Sequence, residues 1–455
     1  MTASIAPDTQ LIGLANRTPY KIDRFIARGG EGEVYALKGR SSHVAKIYRT
    51  PMDPTKTKKL VAMIRCSTPN IVNIAAWPVD IVQSKSKQPV GFIMPFIQDG
   101  MPLHMILNPK TRLQHRPNHD FASLVRIAQN TASAVSTLHQ AGVVIGDMNG
   151  QNFLVLRNGT VRAIDCDSMQ IGGGSKWGSQ VGVEEYTAPE LQGLSLKNVT
   201  RTKTHDNFAL AVLLFEILVL GRHPFAGNDD LEVGEAIKRA RHIFAINGLE
   251  RSVFNVLGFS PDDILTPEIV DCFGRAFDLP RKKKLLGSSP QRPDAGEWAV
   301  ALAGLANQLA VCPKNAAHHY NGSAKSCPWC ALEKRGVPKF FTPKVPDMSG
   351  VSQKPSTQKP HFSIWGFTAK LLRAGGRLIG KIIYMVLASL IELIAPFLYA
   401  VADRIAETFT TFEIFIEKLF LWTIRWTIWW AILAAKIAAG IFLLLFVLKL
   451  LSGDL

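Results

Sequence analysis

The sequence contains few cysteines for its length, six in 455 residues. Small secreted proteins held together by disulfides are far richer in cysteine, so this composition excludes a disulfide scaffold. The N-terminus also lacks the basic and apolar segments of a secretory signal peptide, and we therefore expect the N-terminal part to stay in the cytosol. A chain of this length predicts two or three structural units, one of them with a sizeable core.

Acidic residues are in the minority: 36 Asp and Glu stand against 52 Lys and Arg, for a formal net charge of +16. Much of the basic excess lies in the C-terminal part of the chain. It is compatible with anionic partners such as nucleotides, lipid headgroups or nucleic acid, and equally with a solvated surface and linker. No platform of aromatic and basic residues accompanies the charge, so a nucleic-acid-binding adaptor is the least supported of the functional hypotheses. We therefore expect no specific nucleic-acid partner.

The most informative candidate for a functional loop lies in residues 143–155, VVIGDMNGQNFLV. An apolar run leads to Asp147, and a second apolar run begins directly after Asn152. A carboxylate can accept the proton of a hydroxyl group while a carboxamide binds a metal that carries phosphates. Alone this pattern is weak, because Asp and Asn are common loop residues.

A strand, a glycine-rich turn and a second strand are predicted in residues 22–36. Gly29, Gly30 and Gly32 allow the backbone to approach a ligand closely, although an ordinary hairpin has the same composition. Lys46 follows inside an apolar strand, HVAKIY. A buried lysine requires an anionic partner, and a nucleotide phosphate is a suitable one.

These segments together resemble the eukaryotic-type (Hanks-type) Ser/Thr protein kinases. Ala27 stands where the glycine-rich loop of the family has its first glycine, and residues 93–97 resemble the hinge that receives adenine. The resemblance implies that ATP is bound between two lobes. The residues it assigns to ATP are Ala27, Gly29, Gly30, Gly32, Val34, Lys46, Met94 and Phe96.

The resemblance also assigns roles in phosphoryl transfer. Asp147 is the expected catalytic proton acceptor, with Lys46 and Asn149 beside it, and Asn149 replaces a lysine of the family. Gly146 replaces an arginine that binds a phosphorylated activation loop, so we expect any activity to be independent of that phosphorylation. The expected ligands of Mg²⁺ or Mn²⁺ are Asn152 and Asp165, and Asp167 can share this role because two carboxylates suit a metal bound with phosphates.

One departure from the family is an absence: residues 54–79 contain no Asp or Glu. The family pairs its strand lysine with a glutamate from a helix in this region, where Lys59 stands instead. Lys46 must therefore use another carboxylate or none. The nearest in sequence are Glu31, Glu33 and Asp53. This absence favours a pseudokinase, a nucleotide-binding or scaffolding module, whereas the retained Asp147 favours an enzyme.

Downstream segments extend the resemblance over residues 13–309. Apolar residues at helical spacing predict a helix over Phe121–Gln140 that stops at Gly142. The segment EEYTAPEL resembles the end of a kinase activation segment, whose Glu190 is expected to pair with Arg292. Asp206 begins a second, strongly apolar helix and is expected to hold the backbone of the loop that carries Asp147.

Three of the six cysteines are clustered downstream of that region. Cys327 and Cys330 form a C-x₂-C pair, and Cys312 with either His318 or His319 completes a four-ligand set for structural Zn²⁺. Redox-active or unrelated cysteines are the alternatives, but no thioredoxin-like pattern surrounds the pair. A CPWC sequence after a kinase domain resembles a bacterial branch of the kinase family that carries such a module.

The C-terminal part changes composition twice. Residues 336–365 include a stretch rich in Pro, Ser and Lys, which predicts a flexible basic linker. Residues 382–402 and 426–448 then carry one charge each, Glu392 and Lys436. Each is long enough to cross a bilayer, which takes about 20 helical residues. Basic residues before the first segment predict that the kinase domain faces the cytoplasm. The alternative is a pair of buried or interfacial helices.

The sequence therefore predicts an α+β, bilobal protein-kinase-like fold with a small zinc knot and C-terminal transmembrane helices. The expected boundaries are 13–309 for the kinase domain, 310–335 for the knot, 336–365 for the linker and 366–455 for the membrane-associated tail. The expected function is a Ser/Thr protein kinase at the bacterial inner membrane. Its partners are the lipid bilayer and a protein substrate that the sequence does not identify.

Overall fold

The computed structural model of this chain describes five stretches of it: residues 5–172, 177–226, 231–244, 263–277 and 292–342. Within these stretches no helix combines the length and the apolar character that crossing a bilayer requires. The two predicted membrane segments and most of the predicted linker lie outside the described residues.

The N-terminal lobe is a β-barrel. Its strands are β1 (Gln10–Gly13), β2 (Pro19–Arg28), β3 (Gly32–Leu37), β4 (His43–Tyr48), β5 (Asp80–Gln83) and β6 (Pro89–Pro95). They pair antiparallel in the order β1-β2-β3-β4-β6-β5, and β1 closes the barrel against β5. The predicted strand, turn and strand are confirmed as β2 and β3. A separate small core fills the barrel, made of Leu11, Tyr20, Ile22, Tyr35, Leu37, Ala45, Ile47, Val82 and Ile93.

Two helices, α1 (Pro54–Arg65) and α2 (Pro69–Ile74), connect β4 to β5. Asp53 begins α1, because its carboxylate accepts a hydrogen bond of 2.7 Å from the backbone N–H of Lys56 and satisfies one of the free donors of the first turn. Leu60 and Met63 are the buried residues of α1 and belong to the main core of the protein. Lys59, which stands about where the family resemblance expects the paired glutamate, belongs to this helix.

The C-terminal lobe is mainly helical. Its helices are α3 (Leu103–Leu107), α4 (Pro109–His115), α5 (Phe121–Gln140), α6 (Lys203–Leu218), α7 (Val233–Lys238), α8 (Pro267–Phe277) and α9 (Ala295–Gln308). A three-stranded sheet consists of β7 (Met101–Pro102), β8 (Phe153–Val155) and β9 (Val161–Ala163). Single 3₁₀ turns lie at Cys166–Ser168, Glu184–Tyr186, Pro189–Leu191 and Leu196–Asn198. The loop that carries Asp147 lies between α5 and β8.

Helices α5 and α6 form the centre of this lobe. Helix α5 has the predicted bounds: the Asp120 carboxylate accepts a hydrogen bond of 2.9 Å from the Ser123 N–H at its start. At its end Gly142 has φ +76°, a left-handed conformation that glycine adopts without strain. Helix α6 is buried throughout from Asp206 to Leu218, which confirms the predicted buried helix. The two helices pack against each other and so hold the loop between α5 and β8 on a rigid base.

A small unit follows α9 and consists of β10 (Leu309–Cys312), β11 (Asn315–Asn321) and α10 (Pro328–Lys334). Trp329 of α10 is fully buried against Phe121 at the start of α5, with ring centroids 5.2 Å apart, and against Phe341 at 5.0 Å. Aromatic pairs of this kind each contribute about 0.5–1.5 kcal/mol beyond the burial of their surface. The unit is therefore packed onto the C-terminal lobe.

Candidate active site

Lys46 joins the two lobes at the candidate site. The strand register places it opposite Val34 on one side and Phe92 on the other, so the three side chains share one face of the barrel. Its ammonium nitrogen Nζ donates hydrogen bonds to Oδ1 of Asp165 at 3.0 Å and to Oδ1 of Asp167 at 2.7 Å. The two aspartates belong to the other lobe, and Lys46 therefore holds one wall of the cleft against the other.

The charges in this cluster are buried to different degrees. The side chains of Lys46 and Asp167 are 7% and 2% exposed, whereas that of Asp165 is 52% exposed. Burial opposes the charged ammonium, yet the carboxylates of Asp167 and Asp165 outweigh it and raise the pKa of Lys46. Burial likewise favours a protonated Asp167, but the adjacent Lys46 keeps the pKa of that carboxyl below its usual value. The pair is therefore ionised.

Tyr48 completes the surroundings of Asp167. Its hydroxyl donates a hydrogen bond of 2.7 Å to Oδ2 of Asp167, so both carboxylate oxygens of that residue have partners within the protein. Tyr48 was not among the residues predicted from the sequence. Its position two residues after Lys46 on the same strand was the available signal, because alternate residues of a strand face the same side.

Lys46 does use another carboxylate, as one of the two expectations had it, but none of the three nearest in sequence is its partner. Glu31 pairs with Lys56, Glu33 with Arg28 and Tyr35, and Asp53 caps α1. These contacts are local, whereas the partner of Lys46 comes from a distant segment. Lys59, which stands in place of the glutamate of the family, lines a cleft beside Asp167, and burial lowers the pKa of Lys59 to about 8.

Asp147 is held by two carboxamides. Asn149 donates a hydrogen bond of 3.0 Å to its Oδ1, and Asn152 donates one of 3.0 Å to its Oδ2 as well as one of 2.7 Å to its backbone carbonyl. Asn149 is itself buried, and its side-chain oxygen accepts from the N–H of Gln151 at 2.9 Å. Asn149 therefore orients the Asp147 carboxylate from within the loop.

The two residues expected to bind a metal lie side by side. The backbone N–H of Ile164 donates a hydrogen bond of 2.9 Å to the carbonyl of Asn152, which places Asp165 next to Asn152. Asp165 has φ +53°, a left-handed conformation that costs a non-glycine residue about 1 kcal/mol or more and that Asp adopts more readily than most residues. Carboxylate and carboxamide oxygens are the donor types that Mg²⁺ prefers, so this pair fits the metal of the family.

The glycine-rich turn lies at the end of β2 and the start of β3. Gly32 has no room for a side chain, because a Cβ there would lie 2.5 Å from the carbonyl oxygen of Ile47. The N–H of Gly29 donates a hydrogen bond of 2.8 Å to the carbonyl of Gly32, and Arg49 donates to the carbonyls of Gly29 and Gly30. The turn is thus closed by its own backbone and leaves Gly30 exposed.

The other residues expected to contact ATP lie on adjoining strands. Ala27 of β2 pairs with Val34 of β3, and Met94 of β6 lies opposite Val44 of β4. The chain leaves β6 through Phe96, whose N–H donates a hydrogen bond of 2.9 Å to the carbonyl of Ser42. Val34, Met94 and Phe96 are partly buried, as expected of the walls of a nucleotide pocket.

Asp206 holds the loop of Asp147 from below, as predicted. Its carboxylate accepts hydrogen bonds from the backbone N–H groups of Ile145 at 2.6 Å and Gly146 at 2.9 Å. His139 lies 3.0 Å from the same carboxylate. Because Asp206 belongs to the buried helix α6, the loop is attached directly to the core of the lobe.

Arg201 binds the backbone at Gly146, where Ser179 occupies the space that a side chain would need. Its guanidinium donates hydrogen bonds of 3.2 Å to the backbone carbonyls of Gly146 and Val181, and the side chain is buried. Gly146 has φ +74°, and a Cβ there would lie 2.5 Å from Cβ of Ser179. The arginine therefore joins the catalytic loop to the activation segment through backbone oxygens. Arg201 was not predicted from the sequence, since the family carries its arginine next to the catalytic aspartate.

The predicted pair of Glu190 and Arg292 is confirmed. The guanidinium donates two hydrogen bonds to the carboxylate, Nη1 to Oε1 at 2.6 Å and Nη2 to Oε2 at 2.9 Å. The Arg292 side chain is 1% exposed. This two-pronged contact joins the end of the activation segment to the start of α9.

The small C-terminal unit brings four potential metal ligands together. The sulfur atoms of Cys312, Cys327 and Cys330 and the Nδ1 atom of His318 lie within 4.8 Å of one another. The sulfurs of Cys330 and Cys327 lie 3.4 Å and 3.6 Å from Nδ1 of His318, spacings that suit a tetrahedral zinc ion with bonds of about 2.0–2.3 Å. His319 faces Asp120 at 3.3 Å instead and is not part of the cluster.

A second contact orients the candidate metal ligand His318. Its other ring nitrogen, Nε2, lies 3.3 Å from Glu333 and 3.0 Å from the side-chain nitrogen of Asn315. Metal-bound histidines usually have such a partner, which fixes the ring and the tautomer. All six cysteines of the chain lie in the described residues, and none of them forms a disulfide.

The sequence of this chain is similar to a known family. The family model described as the protein kinase domain matches residues 20–262, more than half of the chain. Protein kinase YegI of Escherichia coli (strain K12) is 36% identical over 328 residues, which cover 70% of this chain and 50% of that protein. The probable serine/threonine-protein kinase PknB of Lactococcus lactis is 24% identical over 256 residues, which cover 53% of this chain and 36% of that protein.

The chain thus spans about half the length of YegI and a smaller share of PknB. Its match to the kinase model includes Lys46, Asp147 and Asp165 and ends before the cysteine cluster. The chain belongs to the protein kinase family.

Proposed function

We propose that this chain is a membrane-tethered Ser/Thr protein kinase, which transfers the γ-phosphoryl group of ATP to hydroxyl groups of proteins. The observation that carries the proposal is the convergence of four side chains on one cleft: Lys46, Asp147, Asn152 and Asp165. The names of the relatives support the same chemistry, since one is called a protein kinase and the other a probable serine/threonine-protein kinase.

Each side chain has a defined task in this proposal. Lys46 holds the phosphates of ATP, and Asp147 orients the hydroxyl of the protein substrate and accepts its proton. Asn152 and Asp165 hold Mg²⁺, which neutralises charge on the phosphates when it is bound. Asn149 and Asn152 keep the Asp147 carboxylate in a single orientation, so that its position is set before the substrate arrives.

Two observations favour the second candidate, a pseudokinase. Lys59 stands where the family has a glutamate, and Asn149 stands where it has a lysine that adds positive charge near the transferred group. Asn149 bonds back to Asp147 and supplies no charge. A protein with these changes can bind ATP and signal through its shape without transferring phosphate.

A transfer assay with labelled ATP on the full-length protein separates the two candidates. We expect wild-type protein to incorporate label into casein, with phosphoserine or phosphothreonine found by mass spectrometry. Asp147→Asn and Lys46→Met should each lower the rate by about 10²-fold or more. Asp271→Asn, which alters an exposed ion pair on α8, is the control and should behave as wild type. Binding of ATP without transfer by wild type would establish the pseudokinase.

The cysteine cluster extends the proposal to a structural Zn²⁺ ion held by Cys312, His318, Cys327 and Cys330. Three thiolates and an imidazole form a closed tetrahedral set, which leaves no open position for a substrate. The ion would stabilise a unit that packs on α5 through Trp329.

Attachment to the membrane is proposed from the composition of residues 382–402 and 426–448 alone. Alkaline carbonate extraction of cell membranes that contain the full chain tests it. We expect the protein to stay in the pellet, and its release into the supernatant would contradict the tether. A variant that ends at residue 365 is the matched control and should be soluble.

A further inference from the structure

We infer that Asp167 is the positioning residue for Lys46 and replaces the helix glutamate that the family uses and this chain lacks. The inference deepens the proposed function and rests on it for the role of Lys46 in binding phosphates. It also changes the role expected from the sequence, in which Asp167 shared the metal with Asp165.

The contacts of Asp167 separate it from a metal ligand. One carboxylate oxygen accepts from the Lys46 ammonium at 2.7 Å, and the other accepts from the Tyr48 hydroxyl at 2.7 Å. The side chain is 2% exposed, whereas that of Asp165 is 52% exposed. A metal that carries phosphates must be reached from the open cleft. The exposed Asp165 can therefore bind the metal, whereas the buried Asp167 binds Lys46.

The pairing also explains how a lysine is tolerated at this depth. A buried ammonium without a carboxylate partner loses its hydration and gains nothing in return. Asp165 cannot serve Lys46 continuously, because the proposed function requires its carboxylate for the metal. Asp167 remains as the carboxylate that can stay with Lys46 through the reaction, and Tyr48 holds it in place from the same strand as the lysine.

The position of Lys59 agrees with the proposal that Asp167 replaces the helix glutamate as the partner of Lys46. It occupies the helix position of the missing glutamate and lines, with Asp167, a cleft of about 570 Å³ beside α1. Among the described residues Lys59 has no hydrogen-bond or ion-pair partner. The negative charge that the family carries on the helix is thus found on the segment after β9, and a positive charge faces it from the helix.

A double-mutant cycle in thermal stability tests the ion pair of Lys46 and Asp167 without any nucleotide. The melting temperature of the full-length protein is measured for Lys46→Met, Asp167→Asn and the double variant. Removing one member of a buried ion pair leaves the other without compensation, so the double variant should lose clearly less than the sum of the two single losses. Additive losses would overturn the inference.

Kinetics then tests the positioning role. We expect Asp167→Asn to lower kcat about 10–100-fold, because a displaced lysine no longer orients the phosphates, while KM for ATP changes less than about threefold. The Mg²⁺ concentration that gives half-maximal rate should stay as in wild type for Asp167→Asn and rise for Asp165→Asn. An unchanged kcat, or an effect of Asp167→Asn that excess Mg²⁺ reverses, would overturn the inference.

Moving the carboxylate from position 167 to position 59 on helix α1 provides a further test. Asp167→Gly should be as impaired as Asp167→Asn, and adding Lys59→Glu should restore at least about tenfold of the lost kcat by returning the carboxylate to the helix. In the wild-type background Lys59→Glu should give no gain. Failure of the double variant to exceed Asp167→Gly counts against the inference, and Asp271→Asn should behave as wild type throughout.

The proposed function can fail separately. If wild-type protein transfers no phosphate, the proposal of a kinase activity fails, while the melting cycle still decides whether Asp167 and Lys46 form the pair. If wild type is active and Asp147→Asn is not, the proposed function holds. The variants of Asp167 then test only whether Asp167 positions Lys46.

Discussion

The hydroxyl of Tyr186 donates a hydrogen bond of 2.6 Å to Oε2 of Glu216. Tyr186 lies in the activation segment just before Thr187, and Glu216 lies in the buried helix α6. Burial raises the pKa of the Glu216 carboxyl to about 7. The contact therefore couples a core carboxyl that titrates near neutral pH to the segment next to the catalytic loop.

The first prediction concerns the pH dependence of stability. Because the pKa of Glu216 in the folded protein, about 7, exceeds its usual 4.5, the folded state holds a proton that the unfolded chain has released between these pH values. This stabilisation is complete below pH 4.5 and is lost as the pH rises through about 7, and it amounts to about 3 kcal/mol. Glu216→Gln keeps the bond to Tyr186 and should lack this loss.

Melting temperatures across this pH range measure the effect. Glu216→Gln should match wild type in acid and exceed it above about pH 7. Glu235→Gln removes an exposed carboxyl and should leave the wild-type profile unchanged. Parallel profiles for wild type and Glu216→Gln would contradict the assignment.

The second prediction concerns the pair of Glu190 and Arg292. Glu190→Gln leaves a guanidinium that is 1% exposed without its counter-charge, so the free energy of unfolding should fall by about 3–5 kcal/mol. Asp271→Asn breaks the exposed pair with Arg275 and should cost less than about 1 kcal/mol. Denaturant unfolding measures both, and equal losses would show that burial does not decide the difference.

The third prediction separates two adjacent histidines. His318→Gln should lower the zinc content of the purified full-length protein well below one ion per chain, whereas His319→Gln should leave it unchanged. Metal analysis by mass spectrometry measures the content. Loss of zinc in His319→Gln with retention in His318→Gln would exclude the proposed ligand set.

The fourth prediction concerns Arg201, which holds Gly146 and Val181 together. Arg201→Met removes both hydrogen bonds and should speed hydrogen–deuterium exchange in residues 178–183, with transfer activity lowered about tenfold or more through misplacement of the loop. Treatment of wild type with a phosphatase should leave its activity unchanged, because Arg201 contacts backbone carbonyls. A large loss after phosphatase treatment would show that a phosphate holds the segment.

Local features were predictable from the sequence because their causes are local. Helix α5 has the predicted bounds, since its apolar spacing lies within the segment and its Asp120 cap and Gly142 lie directly beside it. The order and spacing of Lys46, Asp147 and Asp165 likewise indicated one site. Such a site can be recognised in a sequence, because each residue type occurs at a set spacing from the others along the chain.

Long-range partners were predicted where the family motifs supply them, as for Glu190 with Arg292, and were missed where this chain departs from the family. Glu31, Glu33 and Asp53 were the carboxylates nearest to Lys46 in sequence, yet each has a local partner. The sequence carried no signal for Arg201, because its partners are the backbone carbonyls of Gly146 and Val181, which residues of any type possess.

The resemblance of the sequence motifs to the protein kinases predicted the two-lobed architecture and the residues of the loop around Asp147. Hydrophobic periodicity and turn chemistry, which act over short distances, predicted helix α5 and the glycine turn. The tertiary structure alone decided that Lys46 pairs with Asp167 and that His318, and not His319, joins the cysteines. Both choices depend on which way a side chain faces after two distant segments have packed. His318 and His319 are neighbours on strand β11 and so face opposite sides, whereas the 3₁₀ turn at Cys166–Ser168 directs Asp167 towards Lys46.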